Sequence, residues 1–69
     1  MSIAPDVWPQ PDGQAVSCRD KLRVLVANHK ELAGMMQDAF EDALAMGVDE
    51  AAMRKILIDL VAQMKAPGR

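Results

Sequence analysis

Apolar residues spaced three and four apart run from Leu22 to Met46 and then stop at a glycine. Leu22, Leu25, His29, Leu32, Met36, Ala39, Ala43 and Met46 keep one seam facing one way over roughly three heptads, which predicts a single long helix. Gly47 ends it, because glycine takes a left-handed conformation without steric cost. Asp49 is placed to cap a second helix, and Glu50 sits favourably at its positive end. That helix is expected from Glu50 to Met64, with Ala66-Pro67-Gly68 as its stop. At the other end, Ser17-Cys18-Arg19-Asp20 has the Ser-x-x-acid form of a capping box, so helix one should begin near Cys18. Pro5, Pro9, Pro11 and Gly13 all precede it, so residues 1–16 read as an extended Pro-rich tail. Residues 17–66 form the helical hairpin domain and 67–69 a short C-terminal tail. No strand pattern competes, and the fold class is all-α: one long and one shorter helix, dimerising into a helical bundle.

The dimer follows from a mismatch. Helices of about 28 and 15 residues span roughly 42 and 23 Å, so the second, folded back at Gly47-Val48, reaches only to around Leu32. Leu22, Leu25, Val26 and His29 lie beyond it. Helix one is also apolar over more than half its circumference, through Val24, Met35, Met46, Ala39, Leu32, Leu25, Met36, Leu22, Phe40, Val26 and Leu44, more than one partner helix covers. Helix two has a core face of Met53, Ile56, Leu57, Leu60 and Met64, with Ile58 pointing elsewhere. A chain of 69 residues that is 51% hydrophobic but only 3% aromatic has little with which to build a core alone. Cys18 is its single cysteine, which excludes an internal disulfide and suits a reducing, cytoplasmic setting. With His29 as the only other soft ligand, and no paired spacing, no metal or cofactor is expected. Association is what remains, as an antiparallel homodimer with Leu22, Leu25, Val26, His29 and Ile58 at the interface.

A net charge of −2 disfavours nucleic acid as the main partner, and no apolar run approaches the ~20 residues of a membrane span. Nothing shapes a substrate pocket, so no catalytic residues are assigned and the chain reads as a non-enzyme. Glu31, Asp38 and Asp42 form an acidic line on helix one beside Val24 and Met35, and Glu41 adds to it. Such a line is either a solvated face or a docking surface for a basic, partly apolar partner; Glu31, Met35, Asp38, Glu41 and Asp42 are the candidate contacts. Trp8, in Val7-Trp8-Pro9-Gln10-Pro11, is either an anchor for a partner's pocket or packs back near Leu22 and Leu25. His29 is either a register-setting polar group or a histidine at an interface edge. Arg19, Lys21, Arg23, Lys30, Lys65 and Arg69 make a modest basic cluster. Ala43, Gly47-Val48, Met53 and Ile56 have helix-turn-helix spacing, but only Arg54 and Lys55 face DNA before the helix turns apolar.

Two resemblances bear on function. Lys30-Glu31-Leu32-Ala33, Asp38-Ala39-Phe40, Ala43, Gly47, Asp49 and Ala52-Met53-Arg54-Lys55-Ile56-Leu57 resemble the hairpin of GapR-like bacterial nucleoid-associated proteins. That resemblance implies DNA held by basic residues along the helices. Here Lys30, Arg54 and Lys55 match in kind, whereas Asp59-Leu60-Val61 replaces a further basic run. The whole chain, with its Trp8-Pro9-Gln10-Pro11 tail and Cys18–Met64 hairpin, is similar to the small quorum-sensing anti-activators of Pseudomonas phages. What this implies is a dimer that binds a LuxR-type transcriptional activator of the host, with other host proteins as further partners, and prevents it from acting on DNA.

Overall fold

The computed structural model describes residues 3–68 and consists of two helices, α1 (Arg19–Ala45) and α2 (Glu50–Ala62), joined as a hairpin. It divides into two units, Met1–Met35 and Met36–Arg69, whose border falls inside α1. Arg69 of the basic cluster lies outside the described residues.

In the first unit the tail doubles back on itself. Gln10-Pro11-Asp12-Gly13 is a tight turn closed by the Gly13 amide donating to the Gln10 carbonyl at 2.9 Å, with Gly13 at φ +89°. Pro11 in the second position fixes φ where the turn needs it. The Asp12 carboxylate accepts from the Gln14 amide at 2.9 Å and holds the corner. Beyond it Pro9 and Ala15 pair in antiparallel fashion: the Val16 amide donates to the Trp8 carbonyl at 2.8 Å and the Gln10 amide to the Gln14 carbonyl at 2.7 Å. Pro9 thus occupies the position that makes no ladder bond, where its missing N–H costs nothing.

α1 starts one residue later than its capping box implies. The Cys18 carbonyl accepts from the Leu22 amide at 2.9 Å, so Cys18 holds the cap position, and among the described residues Ser17 makes no hydrogen bond to the first turn. Asp20 then falls in the first turn, where a carboxylate still opposes the helix dipole favourably.

The second unit is organised by the turn. Gly47 at φ +99° allows the Val48 amide to reach the Ala43 carbonyl at 2.9 Å and the Gly47 amide the Leu44 carbonyl at 3.1 Å, the paired bonds of a Schellman end. Asp49 then accepts from the Ala52 amide at 2.9 Å, capping α2 as the sequence predicts. Such a cap contributes about 1 kcal/mol. α2 stops at Ala62, two residues short of Met64. Its last turn tightens, with the Met64 amide donating to the Val61 carbonyl, and no glycine or dipole-compensating base holds the final carbonyls.

No described residue is fully buried. The half-buried residues are Ala4, Trp8, Val16, Leu22, Leu25, His29 and Ala33 in the first unit, and Phe40, Ala43, Leu44, Met53 and Leu57 in the second.

Candidate interaction surfaces

Trp8 is placed by the tail's turn. Its ring meets His29 of α1 edge to face, with centroids 6.2 Å apart and planes at 81°. This geometry sets the positive edge of one ring against the negative face of the other and is worth about 0.5–1.5 kcal/mol. The Trp8 ring is therefore at least partly spent inside its own unit, and its aromatic partner is His29, a residue one turn beyond Leu25.

Where the tail's second arm meets the start of α1, Val16, Asp20, Lys21, Val24 and Leu25 line an open groove of about 440 Å³. The floor is aliphatic and the rim carries one carboxylate and one ammonium. Cys18 lies exposed just before it. The amides of Lys21 and then Asp20 point at its thiol and hold the thiol pKa below its ordinary value, as unsatisfied N–H groups at a helix start do.

On α1, 100° per residue sets Glu31, Asp38 and Asp42 within about 40° of one another, facing away from the half-buried Leu22, His29 and Phe40. All three are exposed, and among the described residues none takes part in an ion pair. Met35, 69% exposed, borders them. Glu41 does not share their stripe: it stands to one side and accepts from the Gln37 amide group at 2.8 Å.

Of the remaining sequence candidates, Leu22, Leu25 and His29 are half-buried, while Val26 and Ile58 are exposed, Ile58 at 66%. The α2 cations are engaged: Arg54 bonds Glu50 at 3.2 Å and stacks 4.7 Å from the Phe40 ring centroid, and Lys55 bonds Asp59 at 3.0 Å. Among the described residues no helix is long and apolar enough to cross a membrane, and no three or more potential metal ligands cluster.

The chain matches no protein-family model, no curated protein sequence and no solved structure.

Proposed function

We propose that the protein is a non-enzymatic, homodimeric interaction protein of the bacterial cytoplasm that binds a LuxR-type transcriptional activator and inhibits it by occupying its DNA-binding domain. The observation that carries this reading is the stripe of exposed carboxylates, Glu31, Asp38 and Asp42, none in an ion pair among the described residues, beside exposed Met35. A DNA-binding domain presents cations spaced to meet phosphates, together with an apolar helix face. Carboxylates repeating along a helix meet the first, and an adaptable methionine the second. The similarity to phage anti-activators supplies the class of target and admits other host proteins as partners. The competing reading, a GapR-like or helix-turn-helix-like DNA-binding protein, needs Arg54 and Lys55 for phosphates, and both already have carboxylate partners.

The test is titration of the protein with the isolated DNA-binding domain of a LuxR-type activator, with and without operator DNA. Binding should displace the DNA. Glu31→Lys with Asp38→Lys should weaken it by about tenfold or more, through like-charge repulsion, while helicity and sedimentation stay unchanged. Unchanged affinity sinks the assignment. A parallel titration with duplex DNA alone should show no tight binding; tight binding with a steep salt slope would replace this reading with the DNA-binding one.

A further inference from the structure

α1 carries its charges the wrong way round for a helix on its own. Arg19, Lys21 and Arg23 outnumber Asp20 in its first turns, Asp38, Glu41 and Asp42 crowd its last ones, and no base lies in the final turn. The amide end of a helix is its positive pole and the carbonyl end its negative pole, so the excess at each end opposes the dipole. An antiparallel neighbour of the same sequence reverses this at both ends at once, bringing carboxylates to the basic end and cations to the acidic one.

The same helix, with Met46 just past its end, has an exposed apolar line beside its half-buried face. Val24 (58% exposed), Leu32 (55%), Met35, Ala39 and Met46 (84%) lie on it, in the three-and-four rhythm that packs helix against helix, and the exposed Asn28 and Asp42 are the polar residues set among them. One end of the line opens into the groove of Val16, Asp20, Lys21, Val24 and Leu25. The other ends in Met46, the most exposed large apolar residue of the hairpin. Between Val24 and Met46 lie two steps of eleven residues, a spacing that returns to nearly the same side of an α-helix.

We infer that the groove receives Met46 of a second copy, in an isologous antiparallel pairing of α1 with α1. The register is set by this insertion. With Val24 opposite the partner's Met46, Met35 falls on the two-fold axis and Leu32 meets the partner's Ala39. The two polar residues of the line then face each other, the Asn28 amide donating to the partner's Asp42, and Lys21 on the groove rim approaches the partner's acidic end at Asp49. Lys21, without an ion pair in its own chain among the described residues, gains one. The pairing rests on the homodimer proposed above and moves its interface from Leu22, Leu25, Val26, His29 and Ile58 to the Val24–Met46 line, keeping of the former only Leu25, in the groove. Met35 and Asp42, assigned above to the target, are then shared with self-association, and Glu31 and Asp38, off the apolar line, are the carboxylates left to the target alone.

The experiment uses the full chain in two steps. Sedimentation of the unaltered protein should give a dimer, and Met46→Glu should raise its dissociation constant by about tenfold or more. Then two single-cysteine proteins, Cys18→Ser with Val24→Cys and Cys18→Ser with Met46→Cys, are oxidised separately and as an equal mixture. Serine keeps the helix cap, and circular dichroism verifies the helices. The mixture should form a covalent dimer on a non-reducing gel, severalfold more than either protein alone. Cross-linking by either protein alone, or none from proteins that sediment as dimers, overturns the register and leaves the homodimer standing. A monomer at every concentration overturns both.

Discussion

Gly34 and Gly47 offer the same substitution with opposite consequences. Gly34 lies in the interior of α1 in a helical conformation, and a Cβ built there meets nothing within 4 Å. Gly34→Ala therefore removes unfolded-state freedom at no packing cost and should stabilise the protein by about 1 kcal/mol. At Gly47 the space is equally open, but φ is +99°, where an L side chain is strained whatever surrounds it. Gly47→Ala should cost about 1–2 kcal/mol through the backbone alone, because the Val48–Ala43 and Gly47–Leu44 bonds both depend on that conformation. Two proteins of identical composition should thus differ by about 2–3 kcal/mol, or more than about 8 °C in Tm for a domain of this size. Thermal melts followed by circular dichroism measure this, at one protein concentration because association itself raises Tm. The reasoning fails if Gly34→Ala lowers Tm, which would mean that another copy packs against Gly34, outside the Val24–Met46 line. It fails equally if Gly47→Ala is neutral.

Two further outcomes follow from the first unit. Trp8→Ala and His29→Ala should couple in a double-mutant cycle by about 0.5–1.5 kcal/mol, read from urea unfolding; additive effects would mean that the edge-to-face contact is not formed in solution. For Cys18, folding lowers the thiol pKa, so the folded protein gives up this proton more readily than the unfolded one. The resulting stabilisation is present above the ordinary thiol pKa and is lost as pH falls through the folded value. Alkylation by iodoacetamide against pH should show a lower midpoint in native protein than in urea, and Cys18→Ser should remove the matching rise in stability on the alkaline side. Coincident midpoints would refute the role of the Lys21 and Asp20 amides.

The hairpin was legible because its turn is made of local backbone requirements. Gly47 needs a left-handed φ and Asp49 needs an amide three residues on, and each can be read from a few neighbours. The ends of the helices were less so. Ser17 and Cys18 can both stand at a cap, and Asp20 is favourable to the dipole from either register, so the start slipped by a residue. Gln63 neither stops nor extends a helix strongly, and Pro67 acts only near Ala66, which left the end of α2 loose by two. In the tail, Pro9 and Pro11 read as extended chain, although Pro11-Asp12-Gly13 carries a turn signal. What periodicity could not supply is that Pro9 falls where pairing needs no amide. That single position lets Trp8 and Val16 join, which sets Trp8 against His29 and makes Val16 a wall of the groove.

The surfaces divide along the same lines. The acidic stripe could be read from the sequence because carboxylates four, seven and eleven apart on one helix must share a side. Glu41 was grouped with it by proximity in sequence, but the helix turns it aside and Gln37 occupies it. The groove was not legible at all, since it needs a side chain from the tail to wall off the start of α1. Its complement, Val24, Met35 and Met46 recurring every eleven residues, was passed over in favour of the seam through Leu22, Leu25 and His29, and the charges of α1 run against its dipole. A period of eleven drifts about 20° per repeat, in the sense opposite to a heptad's, so such a line serves helices that wind with a right-handed rather than a left-handed twist. Antiparallel helices with opposed charge ends leave their outer carboxylates in solvent. The two demands on α1, self-association and a charged face for a target, can then be met by one helix of 27 residues on adjacent sides.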